Sequence, residues 1–204
     1  SVSNAALRVG PSLRLPGLVE VEYWAESDSR RTISGEFGGD WSCGDDGSSR
    51  NRSEWWELSV RATSQLRFTI NPAHSKDRPD LRYVTRCSSA QGTEYVFASL
   101  RQETGDFTFR VDYAATPTLS IQYYGQPFVA AGRYHEFKRI VDPRSREYDG
   151  RFHAFADEEI RFDAATSEYV VDEDRNGDED FRFANPDFNY REFYRDIGFD
   201  LPLD

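Results

Sequence analysis

Residues 106–118 read DFTFRVDYAATPT. Phe107, Phe109, Val111 and Tyr113 alternate with Thr108, Arg110 and Asp112, and the run closes in a short turn at 114–118. A strict period of two places the apolar side chains on one face of an extended strand and the polar ones on the other. The same pattern recurs upstream. In LVEVEYWAE, Val19, Val21, Tyr23 and Ala25 oppose Glu20, Glu22, Trp24 and Glu26. TISGEFGGDW (32–41), WELSVRA (56–62) and QLRFTIN (65–71) repeat it. The spacing predicts an antiparallel all-β meander over residues 1–130.

The connections alternate as well. SDSR (27–30), ATSQ (62–65) and AATPT (114–118) are short turns, whereas SCGDDGSSRNRSE (42–54) and residues 71–93 read as long polar loops. Successive connections in a meander lie at opposite ends of the sheet. Short turns at one end and long loops at the other are the habit of outer-membrane barrels, and some soluble barrels and sandwiches share it. Alternation does not say which face is buried. A soluble barrel turns its apolar face inward, whereas a membrane barrel turns it to lipid and lines its lumen with polar residues.

Composition narrows the partners. Aromatic residues make up 15% of the 204 residues, too many for a disordered chain, and they suit strands better than helices. The net charge of −11 argues against nucleic acid as a partner and against charge-driven adsorption to an anionic surface. No run of about 18 apolar residues is present, so no helix crosses a membrane. The chain opens at Ser1 without a visible signal peptide, as a processed or shortened fragment would.

Beyond residue 130 the alternation fades. RYHEFKRIVDPRSREYDGRFHAF (133–155) suggests short helices over 134–142 and 144–149, split at Pro143. EIRFD, AATS and EYVVD (159–172) read as a hairpin, and the aromatic, acidic tail 185–204 shows no clear period. The expectation is therefore a single β-domain, regular over 1–130 and irregular over 131–204.

One stretch of that region carries candidate chemistry. DEDRNGDED (172–180) places Asp172, Asp174 and Asn176 at alternate positions, followed by Gly177, Asp178 and Asp180. Oxygen ligands at this spacing suit Ca²⁺, with Asp178 entering through its carbonyl and Asp180 directly or through water. Position twelve is Phe183 where an EF-hand carries a bidentate Glu, so the expectation is an isolated calcium loop of metal residues Asp172, Asp174, Asn176, Asp178 and Asp180. The alternative is a solvated acidic loop. Zinc would need His135 and His153 to converge with a carboxylate. Cys43 and Cys87 would form a disulfide if their loops met. Trp24, Trp41, Trp55 and Trp56 would form either a sugar platform or core and lipid-facing aromatics. No nucleophile elbow, phosphate loop or dinucleotide fingerprint is present.

The stretch 95–152 resembles a bacterial family of unknown function. Its members carry an N-terminal carbohydrate-binding module of family-nine type and a C-terminal β-barrel domain. The resemblance rests on Thr116–Pro117, Gln126–Pro127–Phe128, Gly132, Phe137–Lys138 and Asp142–Pro143–Arg144, with support from 10–17, 27–31 and 185–193. The chain departs from the family in ending YRDIGFDLPLD where members continue into a Trp-rich hairpin, and it looks like a shortened C-terminal part. The resemblance implies an outer-membrane-type β-barrel, or a partial barrel or sheet, in the bacterial cell envelope (outer membrane or periplasm), and it brings no catalytic residues. The expected role is a non-catalytic structural or binding domain. The alternatives are an accessory subunit docked on a membrane protein complex by strand addition or through its tail, and a carbohydrate-binding or carbohydrate-active barrel.

Overall fold

The computed structural model describes residues 2–3, 13–44, 49–89 and 92–200. Residues 10–12 of the first resemblance motif, 45–48 and 90–91 of the polar loops, and 201–204 of the tail lie outside the described residues.

The strands are β1 (Val2–Ser3), β2 (Leu13–Arg14), β3 (Leu18–Glu26), β4 (Ile33–Gly44), β5 (Arg50–Arg61), β6 (Leu66–Arg78), β7 (Arg82–Ser89), β8 (Gly92–Thr116), β9 (Leu119–Ile140), β10 (Phe152–Ala154), β11 (Ile160–Asp163), β12 (Glu168–Val171), β13 (Phe181–Ala184) and β14 (Phe188–Asp200). β3, β4, β5, β6, β8 and β9 follow one another across an antiparallel sheet. β14 pairs with the first part of β9 and β10 with its end, both antiparallel; β7 takes over from β6 along the start of β8. Two short sheets, β1–β2 and β11–β12–β13, complete the fold. Among the described residues, β3 and β14 are paired on one side only, so the main sheet is open at both edges.

The register holds across the sheet and sorts the side chains cleanly. Val21 stands opposite Trp41, Val60 opposite Phe68, Phe68 opposite Val111, Val111 opposite Tyr123, and Tyr123 opposite Ile197. One face is thus apolar from β3 to β9 and continues onto β14, where Arg191 and Arg195 interrupt it opposite Val129 and Gly125, and it is not covered: Val21, Phe37, Trp56, Phe68, Tyr113 and Ile197 are all exposed. The other face is polar and hydrogen-bonded within and between strands. Asn51 Nδ2 donates to Asp40 (2.7 Å), Asn71 Nδ2 to Glu57 (2.6 Å), Tyr124 OH to Gln126 (2.7 Å), and Gln126 to Asp106. The accessible surface, 13441 Å², is more than a third above the roughly 9,800 Å² expected of a folded monomer of this mass.

The buried core lies elsewhere. β8 and β9 run on past the apolar belt toward the long-connection end, and residues 141–187 fold against that extension as a cap. Val96, Ala98 and Phe137 of the main sheet pack with Phe155, Val171, Phe181 and Phe183. Leu13 and Phe97 make a second cluster with Leu81, Ile140 and Phe152.

Four expectations are corrected. Residues 134–140 are strand, and the only helical turn among the described residues is the 3-10 turn Asp149–Arg151. The alternation fails there because the β8–β9 register shifts between Phe97 and Ser99, and Glu136 takes a left-handed φ of 53°. The polar loops are shorter than the sequence suggests: β4 reaches Gly44, β5 begins at Arg50, and β6 continues to Arg78 before β7. Past the belt both faces of these strands are polar, so the period-two signal vanishes while the ladder continues. The tail is not irregular: Phe188–Asp200 pairs with β9 along its length. The hairpin of β11 and β12, by contrast, forms as expected around the turn 164–167.

Candidate functional site

The loop 172–180 joins β12 to β13 and is closed at its base, where Asp180 N–H donates to the Val171 carbonyl (2.8 Å). Arg175 (φ 58°) and Gly177 (φ 95°) both take left-handed backbone, which folds the chain back on itself. Asp172 accepts from the N–H groups of Asn176 (3.1 Å) and Gly177 (3.0 Å), and Asp174 accepts from Asn176 N–H (3.1 Å) and Nδ2 (2.9 Å). Asp180 accepts from Glu173 N–H (2.8 Å). Carboxylate oxygens of Asp172, Asp174 and Asp180 lie within 4.8 Å of one another. Of the five predicted ligands the fold therefore brings these three together. Asn176 turns its Oδ1 to Asp178 N–H (2.7 Å), and Asp178, expected to enter through its carbonyl, adds no carboxylate to the group. An all-carboxylate set is the donor chemistry of a hard cation, with the remaining oxygens supplied by carbonyls or water.

A polar cluster that the sequence did not announce adjoins the loop. Arg139 holds Glu173 through two hydrogen bonds of 2.7 Å and stands 3.9 Å from Glu94. His153 Nε2 lies 2.9 Å from Glu159, which also accepts from Ala156 N–H (3.0 Å). The Arg139 guanidinium holds the Glu173 carboxyl below the usual carboxylate range, and the Ala156 amide, then His153, do the same for Glu159. Glu94, Arg139, Glu173, Asp174 and Asp180 line a cavity of about 280 Å³. Among the described residues that line it, Arg139 is the one cation beside the four carboxylates.

A second cluster ties the cap to the sheet. The nearly buried Lys138 Nζ donates to Asp80 (2.8 Å), whose carboxylate also takes hydrogen bonds from Ser99 (2.5 Å) and Tyr148. Burial alone would raise the Asp80 pKa; these hydrogen bonds outweigh it and hold the group below its ordinary value.

Other sequence candidates disperse. His135 and His153 do not join a metal group among the described residues. Cys43 and Cys87 are free thiols on β4 and β7; Cys43 Sγ donates to the Gly44 carbonyl and Cys87 Sγ to that of Arg182. Trp24 and Trp55 share the polar face with Gly38 between them, whereas Trp41 and Trp56 lie on the apolar face, so the four make no single platform. No protein-family model, curated protein or solved structure matches the chain.

Proposed function

We propose that the chain forms part of the wall of an outer-membrane-type β-barrel in the bacterial cell envelope, a structural and binding role without catalysis. One observation carries the reading: an exposed apolar face that runs from β3 to β9 and onto the edge strand β14, where Arg191 and Arg195 interrupt it, backed by a polar face whose side chains hydrogen-bond one another. Gly105 to Tyr113 of β8 spans roughly 27 Å along the strand, and a tilt of about 40° reduces this to about 21 Å, close to the apolar band of such barrels. The three short turns lie at one end of this belt, and the longer connections and the cap at the other. Lipid does not tolerate open edges, so β3 and β14 are completed by further strands.

The test is insertion into phosphatidylcholine vesicles. The belt strands become protected from trypsin and the folded protein migrates differently from the boiled one on a detergent gel. A chain that is stable, monodisperse and protease-resistant without detergent or lipid would overturn the reading. If instead one fixed protein partner covers the apolar face and vesicles do not, the accessory-subunit role takes its place.

The convergence of Asp172, Asp174 and Asp180 favours a second, smaller role: Ca²⁺ stabilises the cap through this loop. A divalent cation at 100 times its dissociation constant adds about 2.7 kcal/mol. Chelation with EGTA lowers the melting temperature of the wild type, and Asp174→Ala removes that difference. Equal melting with and without EGTA in the wild type leaves a plain acidic loop.

A further inference from the structure

Above the apolar belt, on its own face, the register assembles a row of arginines. Arg50 of β5 stands directly opposite Arg78 of β6, and Arg101 of β8 directly opposite Arg133 of β9. Asp77 pairs with Gln102, so the next position outward sets Arg78 beside Arg101 and joins the two pairs. All four side chains are exposed. Among the described residues none of the four has a carboxylate partner. The nearest cations on that face are neutralised, Lys76 by Glu103 (3.2 Å) and Arg52 by Glu54. Arg50, Arg78, Arg101 and His135 line a shallow cavity of about 220 Å³. Its two carboxylates have partners of their own: Asp80 is engaged by Lys138, and Glu136 stands 3.0 Å from Ser99 Oγ.

Like charges directly opposite one another destabilise a sheet. Four arginines in one row, on a chain with a net charge of −11, call for an anionic counterpart. Their height says which one. Arg133 follows the last apolar residue of that face of β9, Ala131. On the other three strands the row stands about 20 Å up the strand from Trp56, Pro72 and Phe107, or about 15 Å once tilted. Long side chains that bend back toward the membrane reach the headgroup layer from there. Guanidinium groups match phosphate by paired hydrogen bonds.

We infer that Arg50, Arg78, Arg101 and Arg133 bind the phosphates of anionic lipid headgroups in the leaflet at the long-connection end. The inference rests on the membrane-wall reading above. The full chain in mild detergent is titrated with phosphatidylglycerol, phosphatidylcholine or inorganic phosphate while its thermal midpoint is followed, and insertion into vesicles is scored in parallel. Phosphatidylglycerol raises the midpoint and the other two do not. Each Arg→Gln replacement weakens the apparent affinity on the order of fivefold at low salt. The fourfold Gln variant loses the shift yet still inserts. Insertion of the wild type with no preference for phosphatidylglycerol overturns this inference alone, as does an equal response to inorganic phosphate or a shift retained by the fourfold variant. Failure of the wild type to insert overturns the membrane reading and this inference together.

Discussion

At Gly38 a Cβ would meet the Trp55 ring at 2.7 Å, and at Gly125 it would strike the Phe109 ring. In both cases an aromatic side chain on the neighbouring strand lies across a glycine, so the residue is chosen by its neighbour rather than by its own φ. Gly38→Val therefore costs about 1–3 kcal/mol in urea unfolding in detergent, while Gly198→Ala, which meets nothing within 4 Å, changes stability by less than about 0.5 kcal/mol. Asp80 makes a different kind of argument. Its folded pKa is depressed, so the stability it contributes is present above the unfolded value of about 4 and lost as the pH falls through the folded value below it. Glu173 and Glu159 carry the same sign. Lys138→Met leaves Asp80 charged and nearly buried without its cation, at a cost of about 3 kcal/mol near neutral pH. That cost shrinks as the pH falls and Asp80 protonates. A penalty independent of pH would mean that the lysine stem, not the ion pair, holds the cap.

At the scale of the element, the two faces of one strand make opposite predictions. Phe68 lies on the exposed apolar face of β6, and Thr69, the next residue, on the polar face. Phe68→Arg loses about 2–4 kcal/mol of folding free energy in a bilayer, whereas Thr69→Arg is near neutral. Folding titrations in lipid vesicles measure both. Equal effects would show that the apolar face does not meet lipid. β8 and β9 also explain how one strand serves two environments. Twenty-five residues of β8 extend roughly 80 Å, several times the height of the belt, so the same ladder that forms the belt carries Val96 and Ala98 into the cap core.

For the whole molecule, topology limits how the open edges close. The main sheet has seven rows from β3 to β14, each antiparallel to the next, so β3 and β14 run in the same direction. A second copy inserted in the same orientation would meet these edges in parallel. An all-antiparallel barrel accordingly needs an odd number of further strands between β14 and β3. Val21→Cys and Ile197→Cys variants in a background with Cys43 and Cys87 replaced by Ser, mixed in membranes and oxidised, yield no product of twice the 23.5 kDa chain mass. A strong dimer band would show that copies close head to tail.

Much of this was legible in the sequence. LVEVEYWAE became β3 with the same bounds, and DFTFRVDY fell within β8, because period-two alternation records directly that one face of a strand is apolar. The convergence of Asp172, Asp174 and Asp180 was legible too, since a short loop with glycine at its bend has few ways to fold. Tertiary structure alone decided the rest. β14 pairs with β9 across the cap, from a tail whose aromatic residues fall on both faces and so show no period. The Arg139–Glu173 pair and the Asp80–Lys138–Tyr148 cluster join residues far apart in the chain. The arginine row draws one residue from each of four strands, and only the register of the ladder makes them neighbours. Alternation is a property of a single strand and is written along it. Adjacency across strands depends on which strands pair and in what register, and that is settled only when the sheet is assembled.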